Sequence, residues 1–217
     1  MLAADRVLIY TGGRLGRWAL EQRNADDLII GADSGALFLI DHGLKPHLSI
    51  GDFDSVTAGE LDLIRAESWE TLACDPIDKD YTDTELAFRH ALDIGAREIV
   101  LLGALGSRFD HSLANVHLLM LALEQGAAAS IVDENNRIRL CSSSLSLVRE
   151  PDRPYENVSL LPLTASVQGV TLEGFMYPLH EAELRIGQSL GISNVMKDDV
   201  ATISVRDGIL LVIESRD

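Results

Sequence analysis

Carboxylate side chains are concentrated at three points in the first half of the sequence. Asp33 follows a short apolar run, Asp52 and Asp54 follow another, and Asp80 and Asp83 precede a segment with helical periodicity. Because the carboxyl ends of parallel strands meet at one edge of a sheet, we expect these side chains to converge on the crevice where such folds bind ligands. Two carboxylates about 4 Å apart repel by roughly 4 kcal/mol at an effective dielectric constant near 20. Such a group requires a cation, and ligation by oxygen alone favours Mg²⁺.

The alternative is that these acids are solvated loop residues or helix caps. For Asp83, in the predicted first turn of a helix, capping is the more common role. The pair Asp52 and Asp54 at a strand end instead favours ligand binding. An EF-hand calcium loop beginning at Asp52 is excluded, because Val56 and Leu63 occupy positions that require oxygen ligands.

A second group of polar residues follows a later apolar run. Gly103 and Gly106 form a turn before a predicted helix, where glycines permit close backbone approach and the helix start favours phosphate. Arg108 offers a fork of donors to phosphate oxygens, although a surface ion pair explains a loop arginine equally well. Asn115 lies one helical turn beyond His111 on the same face. A purely structural role for His111 is the alternative.

Familiar nucleotide-binding and hydrolase motifs are missing or incomplete. No Walker A sequence occurs, which excludes a P-loop fold. Gly12-Gly13-Arg-Leu-Gly16 only loosely resembles a dinucleotide-binding fingerprint, so we interpret it as a turn. The Gly-x-Ser-x-Gly pattern at 187–191 is not a hydrolase nucleophile elbow, because no histidine follows His180 and the pattern lies in the β-rich half.

Residues up to about 135 alternate short apolar runs with helical periods. This rhythm predicts a parallel sheet with helices on both faces. Thr82 and Glu85 have the spacing of a capping box at the start of one helix. The predicted strands are 6–10, 27–31, 47–51, 98–102 and 128–133, and the predicted helices are 15–23, 34–42, 58–67, 82–94 and 111–125.

After about residue 140, helical periodicity fades and short strand-like runs between turn residues replace it. This change predicts a small all-β domain, with a boundary near 135–145. Arg206-Asp207-Gly208, between the last two runs, is typical of a tight β-hairpin. The predicted strands are 145–149, 157–161, 166–172, 183–186, 201–205 and 209–214.

The bulk composition excludes several classes of protein. The formal net charge of -16 disfavours nucleic-acid binding, because an acidic surface repels phosphate backbones. We expect no signal peptide, since the first residues are not a basic region followed by an apolar run, and no membrane span, since no stretch approaches 18 uninterrupted apolar residues. The two cysteines, Cys74 and Cys141, lie far apart and are interpreted as free thiols, which fits a reducing cytoplasm.

Five of these motifs, taken together, resemble the thiamine pyrophosphokinase family. They occur in the same order and spacing from about residue 7 to about residue 213. A single Asp-x-Asp is a weak signal, whereas five motifs in order are specific. The motifs are Gly31-Ala-Asp33-Ser-Gly35, Gly51-Asp52-Phe-Asp54-Ser55, Asp80-Tyr-Thr82-Asp83, Gly106-Ser-Arg108-Phe-Asp110-His111 with Asn115, and Gly191-Ile-Ser193-Asn194.

The resemblance implies a two-domain α/β protein. A parallel-sheet, Rossmann-like domain over 1–138 would bind ATP and Mg²⁺. A small all-β sandwich domain over 139–217 would bind thiamine. The resemblance also implies a homodimer with active sites near the dimer interface.

The resemblance further implies roles for individual residues. Asp52, Asp54 and Asp83 would hold Mg²⁺, with Asp80 in support. Ser193 and Asn194 would contact thiamine, although a plain turn explains them when the resemblance is set aside. The residues assigned to ATP are Asp33, Lys79, Arg108, Asp110, His111 and Asn115.

The implied reaction is Mg²⁺-dependent transfer of diphosphate from ATP to the hydroxyl of thiamine, which gives thiamine diphosphate and AMP. Arg108 would stabilise developing charge, and Asp83 or Asp80 would accept the hydroxyl proton; the sequence does not decide between the two acids. Two alternatives stay open. One is a related Mg-ATP phosphotransferase acting on another small alcohol, and the other is a non-catalytic sensor of nucleotide or thiamine.

Overall fold

The computed structural model describes residues 5–74, 80–151 and 155–217. The chain divides into two compact units, Met1–Glu134 and Asn135–Asp217. The first unit combines helices with a parallel sheet, and the second consists of antiparallel strands. No helix among the described residues is long and apolar enough to cross a membrane.

The described residues of the first unit form six parallel strands in the order β4-β3-β2-β1-β5-β6. The central strand β1 is buried along Val7–Tyr10, as expected for a parallel strand covered on both faces. β4 is a three-residue edge strand that the sequence pattern did not predict. The strands are β1 (Arg6–Tyr10), β2 (Leu28–Ala32), β3 (Leu48–Gly51), β4 (Thr71–Ala73), β5 (Glu98–Leu102) and β6 (Ala128–Val132).

Strand order reverses beside β1, which has β2 on one side and β5 on the other. In an open parallel sheet, the loops after two such strands diverge to opposite faces and leave a crevice at their carboxyl ends. The loops after β1 and β5 border this crevice, and the loops after β2 and β3 lie along the same sheet edge.

In the part of the chain that the structure describes, five helices connect these strands, and side-chain caps begin two of them. Thr57 and Glu60 form a complete capping box at α3, each side chain accepting from the other residue's backbone N–H. At α4, the predicted Thr82 cap accepts from Glu85 N at 3.2 Å, whereas the Glu85 carboxylate accepts from Arg89 Nε at 2.9 Å. The predicted helix at 15–23 is only four residues long. The helices are α1 (Arg17–Leu20), α2 (Ser34–Asp41), α3 (Ala58–Glu67), α4 (Asp83–Asp93) and α5 (Phe109–Glu124).

Within the second unit, the strands form two antiparallel groups, β7-β13-β9 and β11-β10-β12-β8. Both groups contribute to one core, with Leu160 and Val212 from the first and Leu172 and Ile203 from the second. β7 was not predicted from the sequence. The strands are β7 (Asn136–Cys141), β8 (Ser144–Val148), β9 (Asn157–Pro162), β10 (Ser166–Glu173), β11 (Ala182–Arg185), β12 (Val200–Ser204) and β13 (Leu210–Ser215).

The predicted hairpin at Arg206-Asp207-Gly208 is wrong. β12 pairs with β10 and β8, whereas β13 pairs with β7 and β9, so the turn crosses from one sheet to the other. Gln168 holds the crossing by donating from its backbone N–H to Asp207 O at 2.8 Å and accepting from Arg206 N at 3.0 Å. Gly208 has φ 91°, and a Cβ there would lie 2.7 Å from the Ser166 carbonyl oxygen. The glycine therefore serves the crossing.

Candidate active site

A cleft of about 800 Å³ opens at the carboxyl ends of the strands in the first unit. The loops after β1, β2, β3 and β5 and the starts of α4 and α5 line it. Among the described lining residues, five are aspartates, and the basic side chains are Arg108 and His111. The predicted site residues that line the cleft are Asp33, Asp52, Asp54, Asp80, Asp83, Arg108, His111 and Asn115.

Other predicted site residues lie elsewhere. Asp110 is not among the residues that line the cleft, and it is hydrogen-bonded to Arg108, two residues before it. Ser193 and Asn194 belong to the second unit. Lys79 lies outside the described residues.

Asp33 connects β2 to α2 in an uncommon backbone conformation. Its φ is 52° and its ψ is -126°, and its N–H donates to Ile50 O at 3.0 Å. The Ser55 hydroxyl donates to carboxylate oxygen Oδ2, whereas the buried Oδ1 has no hydrogen-bond partner among the described residues. Burial raises the pKa of Asp33 above its usual range and outweighs the lowering by the hydrogen bond from Ser55; the charges of Asp83 and Asp54 also raise it.

The loop after β3 carries Asp52 and Asp54 on either side of a buried anchor. Phe53 is 4% exposed, has φ 56° and packs between α2 and α3 with Ala36 and Ile64. Because Phe53 is buried, its two neighbours are held at the cleft. The backbone N–H of Asp54 donates to Asp52 Oδ1 at 3.1 Å, which closes the loop around the pair.

The oxygens of three aspartates lie close enough to share one cation. One carboxylate oxygen from each of Asp33, Asp52 and Asp54 lies within 4.8 Å of the others. Buried polar atoms are normally paired, so the unpartnered Oδ1 of Asp33 is suited to a ligand or ion. An all-oxygen donor set fits Mg²⁺. The residues present therefore fit the implied cation, and they include Asp33, which was expected to bind ATP.

Asp83 joins the cluster through the backbone. Its Oδ1 accepts a hydrogen bond from Asp52 N at 3.2 Å, and a Cβ on Gly51 would lie 3.2 Å from the same oxygen. The start of α4 is thus held against the β3 loop. The role of Asp83 as a metal ligand stays a prediction. The supporting role of Asp80, which is exposed at the cleft, also stays a prediction.

Arg108 and Asp110 form an exposed, two-pronged ion pair at the start of α5. Arg108 donates from Nε to Asp110 Oδ1 at 3.3 Å and from Nη2 to Oδ2 at 2.6 Å. Hydrogen bonding to Asp110 raises the pKa of Arg108, and hydrogen bonding to Arg108 lowers the pKa of Asp110. A surface ion pair of this kind was the alternative expected for Arg108. Because solvent screens an exposed ion pair, exchanging Asp110 for a phosphate would cost little.

Asn115, on α5, holds the loop after β5 through a side-chain hydrogen bond. It is 8% exposed, and its Nδ2 donates to Ala104 O at 2.8 Å. This contact fixes the backbone that turns from β5 toward Gly106. Ser112 holds the next part of the loop by accepting from Gly106 N at 3.1 Å and donating to Arg108 O at 3.2 Å.

In the second unit, the predicted thiamine-contact residues lie on a loop that is hydrogen-bonded to the backbone of Tyr177. The buried Asn194 side chain accepts from Tyr177 N at 3.1 Å and Val195 N at 2.9 Å, and it donates to Tyr177 O at 2.7 Å. It therefore fixes the backbone of Tyr177, whose side chain is 65% exposed. Ser193 is exposed with φ 56°, and its N–H donates to Ser159 Oγ at 3.0 Å.

Both halves of the sequence match models of one protein family. Residues 20–131 match the model described as "Thiamin pyrophosphokinase, catalytic domain", and residues 145–210 match the model described as "Thiamin pyrophosphokinase, vitamin B1 binding domain". The thiamine pyrophosphokinase of Bacillus subtilis (strain 168) is 32% identical over 191 residues, which are 88% of each chain. The chain belongs to the thiamine pyrophosphokinase family.

Solved structures of thiamine pyrophosphokinases share the fold. The crystal structure of the Bacillus subtilis enzyme matches with a TM-score of 0.89 and 29% identity, covering 98% of this chain and 99% of that chain. The Geobacillus thermodenitrificans structure matches with a TM-score of 0.87 and 31% identity, covering 98% of each chain. The common features are a mixed α/β fold and a separate antiparallel sheet.

In this thiamine pyrophosphokinase family member, one part of the cleft was missed by sequence reasoning. Thr11, Gly12 and Gly13 follow β1 and line the cleft where strand order reverses. A Cβ on Gly13 would lie 2.0 Å from Gly103 O, so the two loops meet backbone to backbone. The signal was available, because paired glycines directly after the first strand predict a close backbone approach as well as a turn.

Proposed function

We propose that this protein transfers the diphosphate group of ATP to the hydroxyl of thiamine, which yields thiamine diphosphate and AMP. The observation that carries the proposal is the grouping of the Asp33, Asp52 and Asp54 oxygens in the cleft of a chain that matches both thiamine pyrophosphokinase domain models. Related phosphotransferases on other alcohols, and non-catalytic sensors, have no specific observation in their favour.

The proposal assigns Mg²⁺ to Asp52 and Asp54, with Asp33 and Asp83 beside them. When bound, the ion neutralises phosphate oxygens and aligns the polyphosphate. An acidic cleft would otherwise repel ATP, since its basic side chains among the described residues are Arg108 and His111. The excess of carboxylates over cations supports a requirement for the metal.

The chain's own residues supply orientation and proton transfer. In the proposed reaction, the thiamine hydroxyl oxygen bonds to the β-phosphorus as the bond between that phosphorus and the α,β-bridging oxygen breaks, and AMP departs with the oxygen. Arg108 exchanges Asp110 for phosphate oxygens, and His111 and Asn115 complete the nucleotide contacts. A carboxylate, Asp83 or Asp80, accepts the hydroxyl proton.

For thiamine, we propose a site on the loop that carries Ser193, next to the ring of Tyr177. An exposed aromatic ring on a fixed backbone is suited to stacking against a planar heteroaromatic ring. Asn194 contributes by holding Tyr177 in place through its three side-chain hydrogen bonds. The ring of Tyr177 is thus the proposed stacking group.

The proposal also covers the two domains, the oligomeric state and the cellular location. We propose that the first unit is a Rossmann-like ATP-binding domain and the second a β-sandwich, which moves the expected boundary from residue 138 to the division between Glu134 and Asn135. The shared core of the two antiparallel sheets supports the sandwich. We also propose a homodimer. The free cysteines Cys74 and Cys141 support a cytoplasmic location.

The test is to incubate the protein with Mg-ATP and thiamine and to quantify all products. Equal amounts of AMP and thiamine diphosphate are expected. ADP with thiamine monophosphate would change the reaction to ordinary phosphoryl transfer. Turnover only with a different alcohol would change the substrate, and ATP binding without any turnover would favour the sensor. Size-exclusion chromatography with light scattering tests the dimer.

A further inference from the structure

Asp33 and Ser55 are joined by a hydrogen bond that links two loops of the first unit. Asp33 starts α2, and Ser55 lies 22 residues later, beyond β3. The Ser55 hydroxyl has a single proton, which it donates to Asp33 Oδ2. Oδ1 is thereby left as the carboxylate oxygen without a partner among the described residues.

The position of Ser55 is itself fixed by the loop that carries Asp52 and Asp54. The buried ring of Phe53 anchors this loop between α2 and α3, and Val56 N donates to Phe53 O at 3.3 Å. A carboxylate rotates readily about its last bond when nothing holds it. The hydrogen bond from Ser55 therefore couples the orientation of the Asp33 carboxylate to the loop that carries the other two carboxylates.

We propose that Ser55 is a positioning residue that orients the Asp33 carboxylate so that Oδ1 is presented to the cation at Asp52 and Asp54. The proposal rests on the metal site of the proposed function. Partners that orient a metal ligand typically change metal affinity by 10- to 100-fold when removed. Ser55 contacts the ligand and not the cation, so its effect should appear in affinity more than in the rate at saturating metal.

The first experiment measures binding of Mn²⁺ alone, without nucleotide, from the electron paramagnetic resonance signal of the free ion. Ser55→Ala is expected to weaken Mn²⁺ binding about tenfold. Ser55→Thr keeps a hydroxyl and should stay within about twofold of the unaltered protein. Ser146→Ala, an exposed serine on β8 in the second unit, serves as the matched control. Equal thermal unfolding midpoints should accompany these values.

A second readout separates positioning from catalysis. In Ser55→Ala, the Mg²⁺ concentration for half-maximal turnover should rise about tenfold, while kcat at saturating Mg²⁺ largely recovers. Unchanged Mn²⁺ affinity in Ser55→Ala, or equal weakening in Ser55→Thr, would overturn the positioning role. If the unaltered protein bound no Mn²⁺, both the metal site and the positioning role would fall. If it bound Mn²⁺ normally but formed no AMP, only the proposed reaction would fall.

Discussion

Asp33 in the first unit and Asn194 in the second are polar side chains in sites predicted from sequence, but their surroundings differ. Asp33 keeps a buried oxygen without a partner among the described residues, whereas Asn194 makes three hydrogen bonds to the backbone around it. Unsatisfied buried atoms cost free energy unless a ligand completes them. Asp33 therefore has the character of a binding group, and Asn194 has that of a scaffold.

The largest expected effect is that of Asp54→Asn. Losing a metal-binding carboxylate should lower kcat about 10³-fold, since a loss of about 4 kcal/mol in transition-state stabilisation corresponds to that factor. The thermal midpoint should stay unchanged or rise, because Asp54 is exposed and lies among like charges. AMP formation and a melting curve measure the two quantities. Asp62→Asn, an exposed acid on α3, is the control, and normal turnover by Asp54→Asn would remove Asp54 from the metal site.

Asn194→Ala should lower the stability of the protein, whereas Asp54→Asn lowers kcat. The change leaves the N–H and C=O of Tyr177 and the N–H of Val195 without their side-chain partner, which should cost about 2 kcal/mol in the free energy of unfolding. Urea unfolding measures it. Ser193→Ala, one residue away and exposed, should change stability by less than about 0.5 kcal/mol. A fully stable Asn194→Ala protein with a raised KM for thiamine would instead make Asn194 a direct substrate contact.

Tyr177→Leu tests what the Asn194 scaffold supports. Removing the ring should raise KM for thiamine up to about tenfold, because aromatic pairs contribute about 0.5–1.5 kcal/mol beyond their buried area. Tyr177→Phe keeps the ring and should leave KM for thiamine at the value of the unaltered protein. KM for ATP should not change in either variant. Steady-state kinetics with each substrate varied in turn measures both constants. A rise confined to ATP would move Tyr177 to the nucleotide site.

The smallest expected effect is a gain in stability from Asp33→Asn without metal. Because the pKa of Asp33 is raised in the folded state, the unaltered protein loses stability as pH rises from the usual carboxyl pKa through the folded value. Asp33→Asn should lack this loss, so its advantage should appear at pH 7 and vanish near pH 3. Urea unfolding at several pH values tests this. Adding Mg²⁺ should reverse the order, because only the unaltered protein gains stability from bound ion; an advantage independent of pH would contradict the account.

The sequence was sufficient where residue type and local spacing carry the information. Asp52 and Asp54 were predicted from their position after a strand, and they line the cleft. The sequence was insufficient where tertiary contacts determine strand pairing or the burial of a side chain. Asp207-Gly208 has the composition of a hairpin, but local composition does not encode which sheet each flanking strand joins. The missing partner of Asp33 Oδ1 likewise depends on burial by distant segments.

The buried ring of Phe53 has a consequence for hydrogen exchange. The amides of Asp52 and Asp54 donate to the carboxylates of Asp83 and Asp52, so they exchange when these hydrogen bonds open, and the anchoring of Phe53 between α2 and α3 opposes that opening. Exchange at these two amides should slow together when a divalent cation is added. The loop after β3 would then open together with the contacts of Phe53 on α2 and α3. Cation binding and local unfolding would therefore depend on the same motion.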